Sequence, residues 1–292
     1  MAFNESGRDA RGPSKEQASL LATTHRDDGR MTMGSEFITE ERRESFTIIR
    51  LNRPDKFNAL SREMILALSD VFKTIESEPN LRAVILTGSG DKAFCAGTDI
   101  TELTELDEER APQISERGQN LCNQIETCPI PVIAAVNGIA AGGGCELALA
   151  CHLRIASPSA QFSLPETKLG AIPAYGGTQR LARAIGEGRA LEMMLTGRTV
   201  EAKEALQFGL INHIAPAGEL LAQAQSLAQE ISKLAPLAIR ACLEAVIEGN
   251  ELSLAEGLAL EAKLFAGLFA TADVREGTRA FLEKRSPVFK GK

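Results

Sequence analysis

The chain reads as an α/β protein that ends in an all-helical segment. Three observations carry this: short apolar strands alternate with helical patterns from Phe46 to about Pro216, only helical periods follow, and residues 1 to 36 show no hydrophobic period. With 292 residues, 44% of them apolar, the chain can bury a full core.

Residues 1 to 36 are rich in Gly, Ser, Arg, Asp and Thr and are expected to be a disordered tail. The acids Glu5, Asp9, Glu16, Asp27 and Asp28 argue against a mitochondrial leader. Next, Thr47 to Leu51 reads as a strand, Ser61 to Glu76 as a helix with capping residues at Asn58 to Ser61, and Ala83 to Thr87 as a strand. Residues Thr101 to Asn120 are polar, lack aromatics and read as a loop bordering a ligand's tail. Pro131 to Val136 is a β-rich run that stops at the turn pair Asn137-Gly138. A glycine run opening a helix, a strand at Leu153 to Ala156 and a Gly/Pro-rich segment from Gly170 to Gly177 come after it. Helical periods then cover Glu219 to Lys233, Leu237 to Glu248, Leu252 to Phe269 and Asp273 to Arg285. The organisation expected is a tail at 1–36, an α/β core at 37–216 and a helical lobe at 217–292.

A formal charge of −7 argues against broad adhesion to nucleic acid or to an anionic membrane surface. No apolar run reaches the roughly 18 to 20 residues of a membrane span. The six cysteines sit in apolar surroundings and read as buried thiols of a reducing, cytoplasmic compartment. Cys145, Cys151 and His152 lack metal-ligand spacing, so no metal is expected.

The segment Gly142-Gly143-Gly144-Cys145-Glu146 carries the candidate chemistry. Glycine lets a backbone N–H approach a ligand closely, and a helix start leaves that N–H unpaired at the positive end of the dipole. Glu146 lies three residues from Gly143 and hence on the same helix face. These glycines would equally serve close helix packing, with Glu146 as a partner of the helix dipole, and Gly144 is expected to accept a methyl group more readily than Gly143 accepts loss of its N–H. A second small-residue turn, Ala96-Gly97-Thr98, offers the Thr98 N–H as the other half of a two-donor oxyanion hole.

Asn52-Arg53-Pro54, Phe94 to Ile100, Pro131 to Glu146 and Pro173 to Leu181 together resemble the crotonase, or enoyl-CoA hydratase/isomerase, family. The likeness runs in order from about Phe46 to the C-terminus, including Glu256-Gly257 and Glu276-Gly277 to Lys284-Arg285. It implies a spiral of ββα turns with a C-terminal helical lobe used for oligomerisation into a homotrimer, or a hexamer of two stacked trimers. By the same resemblance Thr98 and Gly143 form the oxyanion hole, and Glu146 and Glu166 are the two catalytic carboxyls. Both glutamates together favour an enoyl-CoA hydratase over an isomerase, which typically keeps the second alone. The substrate-binding set so implied is Ala96, Asp99, Ile100 and Ala174, with Lys56 and Lys284 at the coenzyme A phosphates and Phe265 at the adenine. No cofactor is implied, since coenzyme A is part of the substrate. Departures from the family pattern are Thr98 for alanine, Thr101 for a basic residue, and Ala174-Tyr175 for a smaller pair, so that Tyr175 narrows the acyl pocket. Rival readings are a methylglutaconyl-CoA-type hydratase, another crotonase reaction such as isomerisation, an RNA-binding member, disfavoured because the helix from Ser61 offers only Arg62 and Lys73, and an inactive scaffold, disfavoured by the intact glutamates.

Overall fold

The computed structural model describes residues 25–27, 30–104 and 106–292. Its larger sheet has eight strands in the order β1 (His25–Asp27), β2 (Arg30–Ser35), β3 (Ile38–Arg42), β4 (Phe46–Leu51), β5 (Ala83–Gly88), β7 (Val132–Val136), β9 (Leu153–Ala156) and β12 (His213–Ile214). Strands β1 to β4 pair antiparallel, and β4, β5, β7, β9 and β12 are parallel. A second sheet joins β6 (Ala93–Cys95), β8 (Ile139–Ala141) and β10 (Gln161–Ser163) in parallel, with β11 (Val200–Glu201) antiparallel at its edge.

The continuous apolar runs of β5 and β7 are fully buried, as parallel strands covered on both faces must be. Alternate side chains divide between two cores. Ile49, Leu51, Val84, Leu86, Val132 and Ala134 face the main core. Phe46, Ile48, Ala83, Ile85, Ile133 and Ile155 face Ala224 and Ala228 of α8 (Leu220–Ser232).

Each turn of the chain lays one strand in the large sheet, one short strand in the small sheet, and then a helix. After β5 and β6 come α2 (Ile100–Leu103) and α3 (Ala111–Glu126); after β7 and β8 comes α4 (Gly143–Ala150); after β9 and β10 come α5 (Gly177–Ile185) and α6 (Glu187–Thr196). This is the spiral of ββα turns that the resemblance implies. Helix α1 (Arg62–Glu76) precedes β5, and α7 (Ala202–Phe208) leads into β12. Helices α9 (Pro236–Gly249), α10 (Leu254–Leu268) and α11 (Ala272–Leu282) complete the C-terminal lobe.

Four expectations need correction. The chain joins the sheet before residue 37, because β2 pairs with β3 across the turn at Glu36-Phe37, and backbone pairing needs no hydrophobic period; the expected tail at residues 1–24 lies outside the described residues. The polar stretch Thr101 to Asn120 is mostly helical, since α3 buries only Gly118, Leu121, Cys122 and Ile125 and its apolar stripe begins late. Ser61 caps α1 by accepting from the Met64 N–H, but Asn58 instead adopts a left-handed φ of 56° and bonds Arg53 N, Ser89 O and Ala93 O. Cys242 is exposed, whereas the other five cysteines are buried.

Candidate active site

Three strands of the small sheet deliver the chemistry-bearing residues from their carboxyl ends. The turn after β6 carries Gly97 and Thr98, the turn after β8 carries Gly142, Gly143 and then Glu146 on α4, and β10 leads into Glu166 at the start of a 3-10 turn, Glu166–Leu169. Sites of α/β proteins gather at such strand ends, where the backbone leaves the ladder and its polar groups become available. The Gly142 N–H donates to Ser163 O at 2.9 Å, which ties the ends of β8 and β10 together.

The backbone conformations here demand glycine. Gly142 has φ of 51° and Gly97 φ of 106°. A Cβ on Gly97 would lie 3.4 Å from Gly143 N, so the two turns are in contact. Thr98 is held by its neighbours: Leu60 N donates to Gly97 O at 2.7 Å and Asp99 N to Leu60 O at 2.9 Å. Among the described residues, neither the Thr98 N–H nor the Gly143 N–H donates to a protein acceptor. Two unengaged donors therefore stand on adjoining turns, the Gly143 N–H at the start of α4 and the Thr98 N–H two residues before α2.

Gly144 packs more tightly than Gly143, contrary to expectation. A Cβ there would sit 2.0 Å from Cys95 O, a backbone atom that cannot yield, whereas at Gly143 the nearest atoms are the Tyr175 ring at 3.1 Å and Thr98 Oγ1 at 3.3 Å. Close packing against backbone thus explains Gly144, while at Gly143 a side chain would press on the Tyr175 ring and the Thr98 hydroxyl.

Glu146 is 2% exposed on a helix whose every residue is buried. Its Oε1 accepts from Tyr175 N at 2.8 Å and Gly177 N at 2.7 Å. Burial pushes its pKa up to about 7; the two N–H donors and the Arg180 charge act downward, and the Glu166 charge upward. Glu166 is half-buried, and burial raises its carboxyl as well. Its Oε2 is buried without a hydrogen-bond partner, and its Oε1 would lie 3.0 Å from a Cβ on Gly142. Burial thus disfavours the anion at both carboxyls, and the Glu166 charge raises Glu146 further.

Residues that the sequence reading missed hold this arrangement. Arg180 on α5 donates through Nη1 to Tyr175 O at 3.1 Å and through Nη2 to Glu126 Oε2 and Asn123 Oδ1, both at 2.6 Å. From α3, Ser115 Oγ donates to Ala174 O at 2.7 Å and Gln119 Nε2 to the same oxygen at 3.1 Å. The 174–177 loop is therefore clamped from both sides, with the N–H groups of Tyr175 and Gly177 turned on Glu146. Only the Gly-Gly-Thr-Gln-Arg run after Tyr175 hinted at it.

The predicted binding residues separate into groups. Ala96 and Ile100 are exposed beside Thr98, and Ala174 lies in the clamped loop. Asp99 is engaged: it pairs with Arg53 Nη2 at 2.9 Å and caps α2 through the Thr101 N–H and hydroxyl. Lys56 is exposed on a turn bonded to the segment 96–98, since Ala96 N donates to Phe57 O at 3.0 Å. Phe265 is 62% exposed and stacks edge-on against Phe269 with centroids 5.0 Å apart. Among the described residues no hydrogen bond, ion pair or ring contact links Phe265 or Lys284 to the surroundings of Glu146. No group of three or more His, Cys, Asp or Glu suited to a metal occurs among the described residues; His152 accepts from Val132 N through Nδ1 and bonds Glu126 O through Nε2.

Known proteins share this architecture across most of the chain. A protein of Bacillus subtilis named as an enoyl-CoA hydratase/isomerase is 46% identical over 89% of this chain and all of its own length. The crotonyl-CoA hydratase of Syntrophomonas wolfei is 40% identical, covering 88% of this chain and 99% of that protein. The crystal structure of an enoyl-CoA hydratase from Bacillus anthracis superposes with a TM-score of 0.85 at 42% identity, over 88% of this chain and 100% of its own. Residues 41–292 match the profile of the enoyl-CoA hydratase/isomerase family, and the chain belongs to that family.

Proposed function

We propose that this protein adds water syn across the 2,3-double bond of a 2-enoyl-CoA, giving the 3-hydroxyacyl-CoA. The observation that carries the reading is the pairing of a buried and a half-buried carboxyl, both disfavoured as anions, with two unengaged backbone donors on adjoining glycine turns. Charge moving onto the thioester oxygen as water attacks C3 is met by the Thr98 and Gly143 N–H groups, which are fixed before reaction and cost no reorganisation. Glu146, its Oε1 held by two N–H donors that favour the carboxylate, takes a proton from the attacking water. Glu166, whose buried Oε2 has no donor to stabilise an anion, delivers a proton to C2. No electrons change hands, so the chemistry calls for no redox cofactor, and the two backbone N–H groups take the part of polarising the thioester carbonyl.

Lys56 beside the oxyanion loop suits the coenzyme A phosphates. Lys284 and Phe265 belong to the C-terminal lobe, where Leu254, Phe265, Phe269, Phe281 and Leu282 are all exposed. An apolar surface of this kind favours assembly with further copies, and we assign the protein a trimer or a hexamer of two trimers. Unpaired buried thiols favour a reducing, cytoplasmic setting.

The test is loss of enoyl absorbance with crotonyl-, hexenoyl-, decenoyl- and methylglutaconyl-CoA side by side, with E146Q and E166Q as controls. Hydration of at least one, lost in both variants, is expected. Turnover of none, or conversion of 3-enoyl thioesters alone, overturns the reading.

A further inference from the structure

The geometry points to Tyr175 as the residue that selects the acyl group: it ends the pocket close to the thioester and presents a hydrogen-bond donor to an oxygen acceptor at the distal end of a short acyl chain. The inference rests on the placement of the thioester at Thr98 and Gly143.

The Tyr175 ring fills the space between two glycines. A Cβ on Gly118 of α3 would meet one ring edge, with Cδ1 at 2.0 Å, and a Cβ on Gly143 of α4 would meet the other, with Cδ2 and Cε2 at 3.1 Å. An acyl chain leaving the oxyanion hole therefore starts against this ring. A long alkyl tail on that side must displace a side chain that is 3% exposed and whose backbone is fixed at both ends, by Glu146 at N and Arg180 at O.

The ring does not end in an apolar wall. Its hydroxyl is buried without a hydrogen-bond partner of normal geometry, and the polar side chain facing it is Thr98, on the oxyanion loop. Burial holds the phenol protonated, with a pKa pushed up to about 12, so at neutral pH it is a donor. A second buried donor without an acceptor, Arg117 Nε, belongs to the residue next to Gly118, and the Arg117 charge acts on the phenol. Glu102 is engaged elsewhere, its Oε2 accepting from Arg117 Nη2 at 2.6 Å and its Oε1 from Arg62 N at 2.5 Å; it makes no hydrogen bond to the phenol or to Arg117 Nε, and its charge raises the phenol pKa. Donors left unmatched in a dry site reward a ligand that brings the acceptor and penalise one that brings only methylenes. The substrate class this selects is a short enoyl thioester with an oxygen, carbonyl or carboxylate, on its far carbons.

Binding of saturated, length-matched thioesters separates this from the hydratase reading. Kd is measured by calorimetry for pentanoyl-, 4-oxopentanoyl- and glutaryl-CoA with the wild type, Y175F and Y175A. At least one oxygenated ligand is expected to bind about tenfold more tightly than pentanoyl-CoA, the scale of one additional hydrogen bond. Which one wins tells a neutral acceptor from an anionic one. Y175F is expected to bring that ratio to near one, and Y175A to admit decanoyl-CoA. Equal affinities in the wild type, or a preference that Y175F keeps, overturn the proposal. Oxygen preference without hydration of any enoyl-CoA would leave this inference standing and remove the reaction proposed above.

Discussion

Gly177 N donates to Glu146 Oε1 at 2.7 Å, and a Cβ on Gly177 would lie only 2.8 Å from that same oxygen. The residue that steadies the carboxylate must therefore lack a side chain. One oxygen of Glu146 is occupied by backbone, and on the proposed mechanism the other meets the water. E146Q and E166Q should each lose at least ~100-fold in kcat while thioester affinity stays within a few-fold. A near-wild-type rate in either, with correct folding, sinks the two-carboxyl mechanism.

Acidity should limit the rate from the low-pH side. Glu146 must be ionised to accept a proton, and with its pKa near 7 the rate should fall as pH drops below that value. Stability moves oppositely. A carboxyl raised on folding favours the folded state most below its unfolded value of about 4.5, and this contribution is lost as pH rises through 7, to a total of about 3 kcal/mol. E146Q should consequently flatten the stability curve between pH 5 and 8 and melt higher than the wild type at the alkaline end. Denaturant titrations at both pH values decide this; parallel curves would show that Glu146 titrates normally.

Arg180 acts through the loop and through its charge. Replacing it by Gln should free Tyr175 O and remove a charge that lowers the Glu146 pKa, so kcat falls by about tenfold and the acidic limb of the rate profile moves to higher pH. A purely structural role would lower activity at every pH without moving that limb.

The glycine turn allows a sharp comparison. Gly143→Pro removes one donor at the first helical position, where the φ of proline suits a helix although its Cβ presses on the Tyr175 ring at 3.1 Å; with circular dichroism unchanged it should lose ~100- to 1000-fold in kcat. Thr98→Ala keeps its N–H and should lose far less. Gly144→Ala should unfold or aggregate, because its Cβ meets Cys95 O at 2.0 Å. Small, equal losses in G143P and T98A at unchanged melting temperature would mean that the thioester sits elsewhere.

Light scattering at micromolar concentration should return the mass of a trimer or hexamer. A monomer would mean that the exposed Phe281 and Leu282 face something other than a second copy.

The strands of the large sheet were legible because β4, β5 and β7 are buried on both faces and so read as unbroken apolar runs. Strands β6, β8 and β10 were not, since three residues show no period. Helix α3 was hidden by its polar first half, with Ile114 and then Leu121 as its first apolar contacts. Within the site, Glu146, Glu166, Thr98 and Gly143 stood out through motif and resemblance. The N–H groups of Tyr175 and Gly177 did not, because a backbone donor leaves no mark on residue type. The clamp by Arg180 and Ser115 spans about 55 to 60 residues of sequence, a pairing that no local pattern encodes.

The N–H donors of Thr98 and Gly143 are main-chain atoms, fixed by strand ends and by the contact of one turn with another. Point mutation can exchange the side chains that crowd them, Thr98 and Tyr175 above all, without deleting either N–H. On the reaction proposed above, selection can in this way explore new acyl groups through one codon at position 175 while the step that all of them share stays intact.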